Sequence, residues 1–180
     1  MTSPAPQRDG PELVDILDVR GNPVYACDKL RAHAAGLLHR TVVSEVFDSR
    51  GRWLLVRQAD DRQDAGRWVS PVGGHVQAGE TPAAALRRET REELGFDLSD
   101  AREVGTYVYR RDLATGTIEN HLFIAYEQET DEVPVLNHES VEFRYFEEAE
   151  LRALLAAEPD RFGEAFHVIS REVYASRLIP

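Results

Sequence analysis

The sequence has one cysteine, Cys27, one lysine, Lys29, and one methionine, Met1. A lone thiol excludes an internal disulfide and a cysteine-ligated metal cluster, and it suits a reducing, cytoplasmic setting. No apolar run approaches the ~20 residues needed to span a bilayer, so no membrane role is expected. Residues 1–10 are polar and proline-containing, lack the apolar stretch of a secretory signal, and read as a disordered tail. Positive charge is scarce: 21 Lys and Arg stand against 32 Asp and Glu, a formal net charge of −11. Such a surface repels nucleic-acid backbones, and no basic stripe offsets it. An acidic protein still handles polyphosphates when divalent cations bridge the like charges.

What is present fits one soluble domain. The 180 residues are 42% hydrophobic and 29% charged, enough to bury a core without covalent staples. Residues 12–19 alternate apolar and polar and predict a strand. A turn at Gly21-Asn22-Pro23 leads to a second strand over 24–28, so residues 11–36 read as an N-terminal hairpin extension ending in one helical turn over 30–36. That hairpin either extends the sheet or offers a route to a homodimer. Residues 38–47 and 53–57 read as a strand pair around the turn at 48–51. Residues 59–66 read as a loop.

Residues 81–94 predict a helix, with Thr81 at the N-cap, Pro82 at the first helical position and Gly95 just past the end. Strands follow over 104–111, 117–127 and 142–146, then helices over 147–157 and 161–177. The expected class is α/β: an α-β-α sandwich with a mixed central sheet over residues 37–180, plus the hairpin, rather than a doubly wound sheet.

The central helix carries the chemistry. Residues three and four apart share a helical face, so Glu89, Glu92 and Glu93 project carboxylates to one side. A solvated acidic face and a Mg²⁺ or Mn²⁺ site both account for that, since hard cations take carboxylate oxygens. The surrounding spacing favours the cation. The stretch GHVQAGETPAAALRRETREELGF, residues 74–96, resembles the Nudix box G-x5-E-x7-R-E-U-x-E-E-x-G-U, where U is bulky and apolar. Gly74, Glu80, Arg88, Glu89, Glu92, Glu93 and Gly95 match every fixed identity, and Phe96 fits the last U. Thr90 departs from the first U and is read as a minor core adjustment.

The resemblance implies a hydrolase that cleaves a diphosphate linkage in a nucleoside diphosphate joined to some group X. It makes Glu92 and Glu93 metal ligands, with Glu89 a further ligand or the base that deprotonates the attacking water. It adds the Gly73 carbonyl as a ligand, gives Arg88 the task of orienting a box carboxylate by a bidentate pair, and makes Glu80 a structural partner near the helix start. Glu139, with Glu142 second, is the candidate for a late carboxylate from outside the box; two solvated loop acids explain that segment equally well.

Residues 30–43, LRAHAAGLLHRTVV, followed by GGHVQAGE, resemble the Nudix branch related to isopentenyl-diphosphate isomerase. There, histidines aligned with His39 and His75 bind a metal together with late glutamates. The isomerase also needs a cysteine where this chain has Gly73, and isomerases depart from the full box that this chain keeps. Both favour hydrolysis over the isomerase alternative, and the intact box argues against the other alternative, a non-catalytic Nudix-fold binding module. His33, His39 and His75 read either as ligands or, more commonly for a histidine at a strand start, as core residues. His121 and Arg57 are candidates to point into the pocket, and Trp68 to stack on a base or prenyl chain. No proline lies between Asp97 and Leu113 of the kind that marks ADP-ribose enzymes. Nucleoside di- and triphosphates, nucleotide sugars and prenyl diphosphates all stay open as substrates.

Overall fold

The computed structural model describes residues 11–97 and 100–179; the tail expected over 1–10 lies outside them. In chain order the elements are β1 (Leu13–Leu17), β2 (Pro23–Asp28), α1 (Lys29–Ala35), β3 (His39–Phe47), β4 (Trp53–Gln58), β5 (Trp68–Val69) and β6 (Val72–His75). They continue with α2 (Pro82–Leu94), β7 (Ala101–Asp112), β8 (Ile118–Glu129), β9 (Ser140–Phe146), α3 (Glu148–Ala157), α4 (Glu164–Glu172) and α5 (Ala175–Leu178).

The nine strands form one mixed sheet. Its centre is β3, the β-branched run that the sequence marks most clearly. β3 runs parallel to β8 from His39↔His121 to Phe47↔Glu129, and antiparallel to β6 through Thr41↔His75 and Val43↔Gly73. β7 flanks β8, and β9 flanks β4.

Successive strand residues point to opposite faces, so β3 feeds two cores. Val42 and Val46 pack with Leu86 and Leu94 of α2 on one face. Val43 packs with Trp53, Phe146, Phe166 and Leu178 on the other, under the C-terminal helices. Fully burying an aromatic such as Phe166 contributes about 1.5–3 kcal/mol. The sandwich expected from the sequence is the one observed.

α2 begins and ends where its signals place it. Thr81 Oγ1 accepts from Ala84 N at 3.2 Å, Pro82 opens the helix, and Gly95 closes it in the left-handed conformation at φ 78°. A side chain at Gly95 would also crowd Val135. Thr90 is fully buried and donates to the Leu86 carbonyl at 2.8 Å, which lets a hydroxyl occupy an apolar slot.

Two expectations change. The turn expected over 30–36 is a full helix, α1, capped by Asp28. The single helix expected over 161–177 is two. A 3₁₀ turn, Pro159–Arg161, precedes them, and Phe162 is drawn into the core beside Trp68, where Gly163 N donates to the Trp68 carbonyl at 2.9 Å. The first helix therefore starts only at Glu164, and Val173 and Tyr174 interrupt the second stretch before α5. The N-terminal hairpin extends the sheet, through Ile16↔His39 and Val14↔Gln77. Among the described residues, no helix is long and apolar enough to cross a membrane.

Candidate active site

A cavity of about 510 Å³ runs from the acidic face of α2, past β6, to the ends of β7 and β8. Glu89, Glu92 and Glu93 line its near end together with Gly73 and Gly74. The helical spacing does what the sequence implies, and β6 supplies the opposing wall. Glycine at position 74 leaves the Glu89 carboxylate its place: a Cβ there would overlap it.

The charge balance is one-sided. Arg88 forks onto Glu80, Nε to Oε1 at 3.2 Å and Nη2 to Oε2 at 3.0 Å, and Nη2 also donates to the His75 carbonyl at 2.9 Å. Its Nη1 reaches Glu89 Oε1 at 2.5 Å and lies 3.5 Å from Glu92 Oε2. The bidentate partner of Arg88 is therefore Glu80, with Glu89 held through one oxygen. Glu93 accepts only the Gly73 N–H, at 2.9 Å, and has no ion-pair partner among the described residues. Burial pushes the Glu89 carboxyl up to about 7 despite Arg88, and pushes Glu93 well above the usual carboxylate range, with Glu89 adding repulsion. Three carboxylates on one wall of the cavity, of which Arg88 reaches Glu89 and Glu92 and no cation reaches Glu93 among the described residues, fit a hard divalent cation.

The other sequence candidates divide. Glu139 lines the cavity, its Oε1 held by Arg62 Nη2 at 2.9 Å. Glu142 pairs with Arg57 at 2.8 Å on the outer surface, so neither of those two enters the cavity. Trp68 is 6% exposed and packs edge-on against Phe146, so it stacks in the core and not on a ligand.

The histidines come together. His33, His39, His75 and His121 place one ring nitrogen each within 4.8 Å of all the others. His33 Nε2 is the hub, 3.2 Å from His39 Nε2, 3.1 Å from His75 Nε2 and 3.3 Å from His121 Nε2. His39 Nδ1 donates to the Leu37 carbonyl at 2.8 Å, which leaves the Nε2 lone pair facing the cluster. Burial lowers all four, His39 to about 4 and His121 to about 2. Neutral imidazoles with converging lone pairs fit a borderline cation such as Zn²⁺ and not Mg²⁺. The resemblance paired His39 with His75; the β3–β8 register adds His121, and the packing of α1 adds His33.

Comparison with known proteins agrees with this geometry. A NUDIX domain is matched over residues 37–166. An isopentenyl-diphosphate Delta-isomerase 2 of Photorhabdus laumondii is 32% identical over 163 residues, 88% of this chain and 90% of that one. An isopentenyl-diphosphate Delta-isomerase of Streptomyces griseus is 39% identical over 122 residues, 64% of this chain and 62% of that one. Among solved structures, a Deinococcus radiodurans protein superposes with a TM-score of 0.70 at 23% identity, covering 89% of this chain and 98% of that one. A MutT NUDIX hydrolase of Burkholderia pseudomallei does so with a TM-score of 0.61 at 23% identity, covering 76% and 98%. The intact box on α2, the fold around it and these matches agree: the chain belongs to the Nudix family, in a branch similar to the isopentenyl-diphosphate isomerases.

Proposed function

We propose that this protein is a Mg²⁺-dependent diphosphohydrolase that cleaves a nucleoside diphosphate linked to a group X. The observation that carries the reading is the Glu89–Glu92–Glu93 wall closed against Gly73 and Gly74, where Arg88 is the only cation paired with it among the described residues. Glu92, Glu93 and the Gly73 carbonyl are the groups that would hold the divalent cation, with Glu89 a further ligand or the base; Mn²⁺ suits the same oxygens. When bound, the cation offsets the diphosphate charge and makes water more acidic.

The chain's own residues do the rest. Arg88 fixes Glu89 through Oε1 and leaves Oε2 free to take a proton from the attacking water. Glu139, steadied by Arg62, is the second candidate for that proton. The water oxygen bonds to phosphorus, the bridging P–O bond breaks, and the leaving phosphate carries the electron pair away. The histidine group, which shares His75 with the box stretch, would hold a second, nitrogen-ligated ion that ties α1 to β3, β6 and β8.

The test is a panel. The protein is incubated with Mg²⁺ and a set of nucleotide and prenyl diphosphates, and released phosphate or monophosphate is measured. Failure to cleave any of them would sink the reading. Gly74→Ala is expected to lose about 10–100-fold in kcat/KM, or ~1.4–2.7 kcal/mol of barrier. The new methyl displaces only the tip of Glu89, so melting should move by a few degrees at most. A fully active Gly74→Ala enzyme would contradict the role given to Glu89.

The isomerase names of the relatives support a second reading, proton transfer across an allylic diphosphate. That chemistry needs an acid and a base across an apolar substrate. At position 73 this chain offers no side chain at all. Wild-type protein is therefore expected to incorporate no deuterium from D₂O into isopentenyl diphosphate; enzyme-dependent incorporation would put the isomerase reading first.

A further inference from the structure

The cavity does not end at the carboxylates. Its far end lies between β7 and β8, where Tyr109, Arg111 and Glu119 line it together with Asp64 from the loop before β5. Alternation along β7 and β8 brings these side chains to the face that also carries His121 and Phe123. Arg111 and Glu119 sit directly opposite each other in the ladder. Two opposite charges in that position ordinarily pair. Here they do not. Arg111 turns to Asp64, with Nη1 and Nη2 each 3.3 Å from Oδ1, and Asp64 is itself buried and also held by Arg67. Glu119 is left half-buried with no ion pair or hydrogen bond of good geometry among the described residues. Beneath it the buried Tyr109 hydroxyl lies next to both Arg111 and Glu119 and makes no hydrogen bond of good geometry to either.

An unpaired carboxylate in a cavity is an acceptor waiting for a donor. A guanidinium with spare N–H groups beside it is a donor waiting for an acceptor. A hydroxyl group is both at once. A protonated amine would satisfy Glu119 but meet the Arg111 charge. A prenyl chain would strip water from Glu119 and Arg111 and return no hydrogen bond.

We infer that Glu119 and Arg111, set by Asp64, form a subsite that reads vicinal hydroxyls on the organic part of the substrate, so that this enzyme takes sugar-bearing diphosphates and rejects prenyl ones. The inference rests on the hydrolase reading for its reaction but not for its binding. The hydroxyls belong either to X or to the ribose of the nucleoside, and the same chemistry recognises both. Asp64 and Tyr109 act through their neighbours and are positioning residues; Glu119 and Arg111 touch the ligand.

The experiment uses four diphosphates. One is a nucleoside diphosphate hexose. The second carries a 2′,3′-dideoxyribose, the third replaces the hexose by an unsubstituted cyclohexyl group, and the fourth is dimethylallyl diphosphate. Wild-type protein is expected to prefer the first over one of the deoxygenated pair by at least about 100-fold in kcat/KM, since a site built to bond a hydroxyl discriminates strongly against its absence. Whichever analogue loses shows whether X or the ribose occupies the subsite. In Glu119→Leu and in Glu119→Gln that ratio should fall at least tenfold, through KM more than kcat, with dimethylallyl diphosphate gaining relative to the hexose in the leucine variant. Titration calorimetry of the same ligands, in wild type and Glu119→Leu, reads binding without turnover. Hydrolysis without discrimination overturns the subsite and leaves the hydrolase reading standing. Discriminating binding without hydrolysis does the reverse. A preference for the prenyl diphosphate, or variants with wild-type ratios, overturns the subsite.

Discussion

Glu93→Gln should abolish hydrolysis and at the same time raise the melting temperature of the cation-free protein. The two effects have one cause. Glu93 lies against Gly73 with a single backbone N–H as partner, and burial together with Glu89 holds its carboxyl well above the ordinary range. A group whose folded-state pKa is raised contributes stability below its unfolded value and loses it as pH rises toward the folded one. At neutral pH the unneutralised wall therefore strains the fold, and an amide relieves it. The same amide is a poor ligand for a hard cation. A loss of ~10³-fold or more in kcat is expected, equal to ~4 kcal/mol of barrier. Wild type should gain stability in ~10 mM Mg²⁺, because a ligand that binds only the folded state raises its melting point, and Glu93→Gln should gain much less. Activity within about threefold of wild type would remove Glu93 from the cation site. An unchanged wild-type melting curve in Mg²⁺ would remove the site itself.

How much of this was legible in the sequence follows from how far apart the determinants lie. Box, caps and acidic face all sit within residues 74–96, and local rules place each of them: Thr81 caps, Pro82 opens, Gly95 closes and the three glutamates share a face. The histidine group depends on contacts between residues 33, 39, 75 and 121, and these need a parallel β3–β8 register with no local signal. Arg57 and Trp68 show the opposite failure. They are partners across β4 and β5 and share a face of the sheet, yet only the neighbouring β9 and Phe162 decide that Arg57 pairs with Glu142, its partner on β9, while Trp68 is covered by the core. The break at Gly163 is likewise tertiary: a Cβ there would crowd Val69 and Asp64, neighbours almost a hundred positions away in the chain. The unpaired Glu119 belongs to the same class, since the cross-strand pattern alone favours a pair with Arg111 and only the Asp64 loop breaks it.

The buried carboxylate that motif reasoning passes over gives the second large effect. Glu45 lies on β3, two residues beyond Val43, and is completely buried. The C-terminal helices cover the face of β3 on which it lies. Its Oε1 accepts from Ser70 Oγ at 2.5 Å, and its Oε2 has no partner. The groups around it offer no counter-charge of their own: Glu127 on β8 is acidic, Tyr107 on β7 and Tyr174 before α5 carry buried, unpartnered hydroxyls, and Arg177 of α5 is already shared between Glu148 and Glu127. Desolvation pushes the Glu45 carboxyl up to about 8, with Ser70 opposing and Glu127 adding. The folded protein keeps that proton while the unfolded chain releases it, so stability is fully present below pH ~4.5 and declines between there and pH ~8, at about 1.4 kcal/mol per pH unit. Glu45→Gln keeps the acceptor for Ser70 and has no proton to lose. It should match wild type in stability near pH 4 and exceed it by on the order of 3 kcal/mol at pH 7, with the gap widening up to pH ~8 and constant above. Urea unfolding at a series of pH values reads this directly. Parallel curves for the two proteins would mean that Glu45 is ionised and solvated in the native state, and the closed polar core between β3 and the C-terminal helices would have to be redrawn.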